Sequence, residues 1–525
     1  MPAIITDQYR ILNAETFVDS FVGIGTSGNN NYYTFLGHPN PQNINIKNYG
    51  APDWPSTPPA PLDSFSQESF YYDSMLFLKK ITSNDVRRVI PRINWETGTI
   101  YEMYRNNYSS DNAYTDENKT PNSESTSLYG SKYYVVTSEF KVYLCINNGT
   151  KLDNVKGTPS TVEPQHTNTT PQPTSDGYIW KYLYSITPSD IVKFSTTKFI
   201  PLPQVWGDAS NSSIKDAAVD GKIETVILKS SGSSNTFPAG IDTTEAQFRI
   251  VGDGDGGSVK VTITSGEIVS VDSVIGGSGY TYATVLVDSH FDSNLTIGVA
   301  PTFEVIIPPK GGHGADIFRE LGAFRVMVYS RFDNNIDDSP DYVTGNNFSR
   351  IGVIKNPLQF SGTDLLNNTT ATNLSALKLK PADGSSVSLS EISYSNNSLI
   401  TQTVGVGSTA VGYVASWEPD TGVLKYYQPV GFSTLSQYSY KKLDFTNQNI
   451  VITGGSPENA TIDTTFNGDS VDVGGANRSL GQTFVEGKAN PDVKKYSGDI
   501  IYVDNRAPIT RTSSQKEEVK IVIEF

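Results

Sequence analysis

The chain has 525 residues, 37% of them apolar and only 18% charged, and 55 acidic against 40 basic residues leave a net charge of −15. That field excludes the basic stripes needed to track along nucleic acid, and 11% aromatic residues exclude a disordered chain, which lacks such core anchors. Gly, Pro, Ser, Thr, Asn and Tyr take the place of helix formers, a profile of short strands joined by many turns.

The N-terminus, MPAIITDQYRIL, has no basic segment leading into an apolar run, so neither a signal peptide nor a membrane insertion is expected. Ile11, Leu12, Phe17, Phe21 and Val22 recur at helical spacing and predict a short amphipathic helix over 10–25, ending at Gly23. The Pro-rich stretch 51–63 predicts an extended arm lying on something. Aromatic and Leu positions in SFSQESFYYDSMLFLKKI predict a second helix over 64–81. VIPRINW (89–95) reads as a strand broken by Pro91, and the polar residues 105–130 as a surface loop. YYVVTSEFKVYLCI (133–146) predicts a hairpin turning at Thr137-Ser138-Glu139. Its Cys145 is the only cysteine, so the chain has no internal disulfide; a buried thiol and folding in a reducing cytoplasm are expected. A polar loop over 147–175 leads into DGYIWKYLYSI (176–186), a strand-like aromatic run.

Beyond about residue 206 the texture changes. Between 222 and 308, ETVIL, AQFRIVGDGDGG, SVKVTITSGEIVSVDSVIGGSGY, YATVLV and PTFEVII are strands separated by Gly-rich turns, a small all-β module. ADIFRELGAF (315–324) is helix-like; FRVMVYSRF and NFSRIGVIKNP (347–357) are strands. From 361 to about 492, strands at ALKLK, TGVLKYY and NIVIT predict a second β module with long loops. No exact repeat supports a solenoid or propeller. At the end, a strand over Asp499–Val503 runs into a polar Asp504-Asn505-Arg506 turn and Pro508. A final strand, Glu518 to Phe525, places Val519, Ile521, Ile523 and Phe525 on one face and is expected to pair into a sheet.

Candidate chemistry is sparse. His38, His166, His290 and His313 show no metal-ligand spacing, and no G-x-S-x-G marks a nucleophile. A triad or a carboxylate pair assembled in space has no sequence mark here. In GDGDGG (252–257), Asp253 and Asp255 are the best metal candidates, with a tight polar turn as the simpler reading. GGSGY (276–280) lacks the Lys-Ser/Thr ending and following helix of a phosphate loop and reads as a β-turn. The Tyr clusters suit either interfaces or ordinary strands. No cofactor is expected.

Four segments in order carry a resemblance: VIPRINW, DGYIWKYLYSI, NFSRIGVIKNP and GDIIYVDNRAPITR followed by EEVKIVIEF. With the opening FVDSFVGIGTSGNNNYYTFLG, they resemble the baseplate wedge protein of T-even-type contractile-tailed phages, the gene-product-eight family. The family-like signature positions are Pro91, Arg92, Trp95, Asp176, Gly177, Trp180, Asn356, Pro357, Asn505, Arg506 and Pro508. The resemblance covers about half the chain and implies a family core made of 1–205, 313–360 and 493–525, with 206–312 and 361–492 as inserted β modules. The expected fold is mainly β: an antiparallel β-sandwich-like core with a few short helices. The resemblance further implies a structural virion protein that is not an enzyme. Such a protein is made in the host cytoplasm, homodimeric, located in the tail baseplate, and bound to other baseplate wedge proteins and fibre-side proteins. The alternatives are a receptor- or glycan-binding tail-fibre module and a polysaccharide-degrading tail enzyme.

Overall fold

The computed structural model describes residues 3–22, 30–38, 57–108, 126–154, 156–232, 243–287, 299–333, 347–428, 443–446, 451–510 and 516–525. The fold is mainly β, with antiparallel sheets and, among the described residues, five short helices. No described helix is long and apolar enough to cross a membrane. The chain divides into two compact units, one of Met1–Thr16, Arg87–Met327 and Val522–Phe525, the other of Phe17–Val86 and Val328–Ile521. The segments 1–205 and 313–360 each contribute to both units, as does 493–525.

The core of the first unit is the sheet ordered Tyr134–Val136, Lys141–Asn148, Tyr178–Ser185, Gln172–Pro173. The expected hairpin forms, with Tyr134 opposite Leu144 and Val136 opposite Val142. The chain reverses through Phe140, at φ 57°, whose N–H donates to the Thr137 carbonyl. These strands are apolar almost without alternation because both faces are covered: Val142, Tyr143, Leu144, Cys145, Tyr178 and Trp180 are fully buried. A further four-stranded sheet of the chain is assigned as a whole to neither unit. It takes in the C-terminal strand, of which Val519 and Ile521 are buried and Ile523 and Phe525 half-buried.

Residues 206–312 lie within the first unit and have their own core around Phe248, Val259, Val261, Ile263 and Ile268. The sheet order is Glu267–Ser278, Asp255–Thr264, Thr243–Gly252, Ala283–Leu286. Gly221 is required where the chain enters: at φ +64°, any Cβ would lie 2.1 Å from the Tyr280 nitrogen. The stem is a two-stranded ribbon, Val226–Ser230 against Thr302–Val305. Successive side chains of a strand point to opposite faces. Here Val226 and Leu228 join the core of this segment, while Ile227, with Ile306 at the end of the ribbon, joins the main core of the unit.

The second unit is built on a five-stranded sheet ordered Thr370–Thr372, Met75–Ile81, Tyr32–Gly37, Asn347–Lys355, Asp499–Thr510. Two expectations need correction here. The predicted second helix holds only over Phe65–Ser74, and Met75–Ile81 is a strand. The run Met75-Leu-Phe-Leu is buried throughout, paired on one side with Tyr32–Gly37 and on the other with Thr370–Thr372. Tertiary pairing thus overrides a helical spacing that any short apolar run can imitate. The polar turn predicted at Asp504-Asn505-Arg506 is instead part of one strand to Thr510. Arg350 pairs with Asn505 but Phe348 with Ile509, so the extra residues 506–508 form a bulge. Pro508, which lacks an N–H, is tolerated because it sits in that bulge on the edge strand of the sheet.

Residues 361–492 supply a further sheet of this unit, ordered Leu399–Gly405, Ser408–Glu418, Val423–Tyr427, Ser375–Pro381, Ala460–Ile462. Its core contains Leu377, Leu379, Ile400, Val414, Leu424 and Ile462. ALKLK and TGVLKYY are paired directly, Leu377 opposite Leu424. Of the third predicted strand, NIVIT (449–453), residues 449 and 450 lie outside the described residues; 451–453 belong to no strand, although Ile452 is buried in the core. The described part of the Pro-rich arm, 57–63, lies on its own unit. Pro59 accepts from the Asn505 amide, and the Tyr71 hydroxyl bonds both the N–H and the carbonyl of Leu62. Residues 51–56 of the arm, and 109–125 of the expected loop, fall outside the described residues.

Candidate functional site

The signature positions separate into two groups, one in each unit. In the first unit Trp95 is linked to Asp176, which lies at the turn before the Tyr178–Ser185 strand. One carboxylate oxygen accepts from Thr161 N–H (2.8 Å), Val162 N–H (3.0 Å) and the Ser160 hydroxyl (3.1 Å). The other accepts from the Thr174 hydroxyl at 2.5 Å and Tyr178 N–H at 3.4 Å. The Trp95 indole N–H donates to Ser160 Oγ at 3.0 Å, so Trp95, Ser160 and Asp176 form one relay. Burial pushes the Asp176 carboxyl up, but the hydrogen bonds from Thr174, Thr161, Val162 and Tyr178 outweigh it and hold it below the usual aspartate value. Gly177 turns the chain at φ +91°. Trp180 is fully buried and stacks on Tyr178, with centroids 5.2 Å apart. The Pro91 carbonyl accepts from the Tyr134 hydroxyl at 2.6 Å; Arg92 reaches Asn94 and Ser195 at 2.7 and 3.0 Å. The following Ile93 packs against the core.

In the second unit Asn356, at φ 54°, ends the Asn347–Lys355 strand and accepts from Asn31 N–H at 2.8 Å while donating to Asn30. The Pro357 carbonyl accepts from Leu366 N–H at 2.8 Å. Asn505 accepts from the fully buried Arg350 and donates to Pro59. Arg506 is exposed and paired with Asp504. Apart from this surface pair and Pro508 in its bulge, the signature positions act on their own backbone and core. They shape the fold and line no reaction centre.

Asp253 is a latch within its turn: its carboxylate accepts from the Thr281 hydroxyl, Thr281 N–H and Tyr282 N–H, which lower its pKa to about 2. Asp255 stands exposed at the start of the next strand, opposite Ser278. No group of three His, Cys, Asp or Glu that could hold a metal occurs among the described residues. His38 stacks on Tyr427 at 4.2 Å, and His166 bonds the Trp180 carbonyl, its pKa lowered by burial. His290 lies outside the described residues.

Among the described residues of the first unit lies a cleft of about 640 Å³. Its floor holds Tyr104 and Glu320, both buried. Glu320 Oε1 lies 2.5 Å from His313 Nδ1, and Oε2 accepts from Gly314 N–H at 2.8 Å. The Tyr104 ring meets His313 edge-on at 4.6 Å. Its hydroxyl has no hydrogen-bond partner among the described residues, and burial followed by the Glu320 charge raises its pKa. Leu128, Tyr129 and Pro309 supply apolar wall. The Tyr129 hydroxyl donates to the Arg319 carbonyl at 2.6 Å.

The rim carries both signs, Asp220 and Asp316 against Lys310 and Arg319. Asp220 accepts from Gly311 N–H at 2.6 Å. Asp316 caps the helix Ile317–Glu320, accepting from Phe318 and Arg319 N–H. Every carboxylate of the cleft therefore has a structural hydrogen bond, and none stands free beside a polarisable nucleophile. Chemically the cleft can bind a small molecule, with the Glu320–His313 pair behind its floor. In sequence His313 shows no metal-ligand spacing, and Tyr104, Lys310 and Glu320 are not singled out. The one available signal was Glu320 on the helix-like patch seven positions after His313. No protein-family model matches the chain, and no curated protein matches it.

Proposed function

We propose that the chain is a structural virion protein, a wedge subunit of a contractile phage tail baseplate that links neighbouring wedge and fibre-side proteins as a homodimer. The observation that carries the reading is the ordered set of four family-like segments, whose signature side chains are spent on scaffold geometry. Two of those segments, NFSRIGVIKNP and GDIIYVDNRAPITR, lie far apart in the chain yet are neighbouring strands, Arg350 opposite Asn505. A scaffold protein needs such cross-chain bracing, and it needs no reaction centre. The commitment of the cleft carboxylates to hydrogen bonds within the fold supports a non-enzymatic role.

Light scattering on the purified chain tests the dimer: the expected mass is twice that of one chain. Antibody labelling of intact tails tests the location and should mark the baseplate. A monomer at all concentrations, together with label on fibre tips, would refute the assignment. A glycan-binding tail module is the second reading, favoured by the tyrosine-lined cleft. Incubation with host capsular or cell-wall polysaccharide should release no reducing ends. Release abolished by changing one Asp or Glu would establish the enzyme reading instead.

A further inference from the structure

We propose that the cleft of the first unit binds a neutral oligosaccharide without turning it over. Its volume, about 640 Å³, falls in the range of small-ligand sites. The apolar part of its surface comes from Tyr104, Tyr129, Leu128 and Pro309, a set able to cover the C–H face of a pyranose. The polar part is mixed. Lys310 carries an ammonium group with no ion-pair or hydrogen-bond partner among the described residues, and the Tyr104 hydroxyl has none either. These two groups are the unspent donors of the site, one at the rim and one at the floor. Asp220 and Asp316 keep acceptor capacity beyond the bonds they already make, since a carboxylate offers about four lone-pair sites.

The charges discriminate among ligand classes. Positive Lys310 and Arg319 face negative Asp220 and Asp316 around one opening, with Glu320 behind them. A phosphate or polyanion would meet three carboxylates, and a polyamine would meet two cations. A neutral polyol meets no such opposition, and each of its hydroxyls can both donate and accept, which a mixed rim requires. Turnover is not part of the proposal because Glu320 is held at both oxygens, by His313 and by Gly314 N–H. The proposal does not rest on the baseplate reading: oligomeric mass and virion location can fail while the cleft still binds, and the reverse.

The test is isothermal titration calorimetry on the full chain with maltotriose, lactose and chitotriose, and with inorganic phosphate and spermidine as charged controls. At least one of the three sugars should bind saturably and be recovered intact, and neither control should. Tyr104→Phe and Lys310→Ala should each weaken binding about fivefold, the worth of one hydrogen bond, with circular dichroism unchanged. Lys310 is an exposed side chain, so its variant keeps the test decisive if Tyr104→Phe fails to fold. Absence of saturable binding by all three sugars overturns the proposal. So does binding that both folded variants leave unchanged, tighter binding of a charged control, or cleavage of the bound sugar.

Discussion

Arg350 and Asn505 stand 155 positions apart in the chain and are bonded Nε to Oδ1 at 2.9 Å in the interior of the second unit. The same amide donates to the Pro59 carbonyl at 2.8 Å, so one side chain joins the bulged edge strand, its neighbour and the Pro-rich arm. Asn505→Ala leaves a buried guanidinium nitrogen without its acceptor and a carbonyl without its donor. Bonds to buried charged groups are worth more than neutral ones, so the loss should be ~2–4 kcal/mol. Urea denaturation should show a lower midpoint; an unchanged midpoint would mean that the bond contributes nothing.

Asp176 predicts an acid-dependent component of stability. Its carboxyl titrates below the ordinary aspartate value in the folded protein because five donors favour the charged form over the penalty of burial. A depressed folded pKa means that the contribution is fully present above the unfolded value, near ~3.9, and is lost as the pH falls through the folded one. Asp176→Asn should therefore be less stable than the native chain at neutral pH. The difference should narrow on acidification below about pH 4. Thermal melts across that range measure it, and a constant difference would assign the effect to packing alone.

The C-terminal strand should be structurally necessary. Val519 and Ile521 are each 5% exposed on Glu517–Glu524. Ile521→Ala should cost ~2–4 kcal/mol, the usual range for truncating a buried Ile. Removing residues 513–525 should cost at least as much, since burying one large apolar side chain is worth ~1.5–3 kcal/mol. A truncated chain that melts at the native temperature would contradict this.

The 206–312 segment should be removable, but only if cut above its stem. Excision of 225–308 would take out Ile227 and Ile306, which belong to the main core of the first unit. It would also remove Glu304, which pairs with Arg105 at 2.9 Å. Excision of 231–301 leaves Ser230 facing Thr302 across the ribbon, where a short Gly/Ser turn can close a hairpin. The shorter deletion should fold and keep the proposed dimer, and the longer one should fail to fold. Light scattering and circular dichroism on the two proteins decide it. Loss of the dimer in a folded 231–301 deletion would place the interface in the inserted segment.

Much of the strand content was legible from local chemistry. Runs such as YYVVTSEFKVYLCI and SVKVTITSGEIVSV carry β-branched and aromatic residues around short turns, and both form hairpins where expected, Tyr134 opposite Leu144 and Val259 opposite Val274. The burial of the single cysteine was also readable, from the apolar run around it, whereas the partners of Asp253, Thr281 and Tyr282, come from another segment. Three things were not. Met75–Ile81 is a strand because two other strands flank it; Asn505 is in a strand and not a turn because Arg350 lies across from it; Tyr104 and Glu320 share a cleft because the fold brings residues 104 and 320 together. Local propensity is set by residues a few positions away and survives in the sequence as pattern. A ladder partner, a buried ion and a cleft are set by segments a hundred or more positions apart, and only the packed chain decides which of them meet.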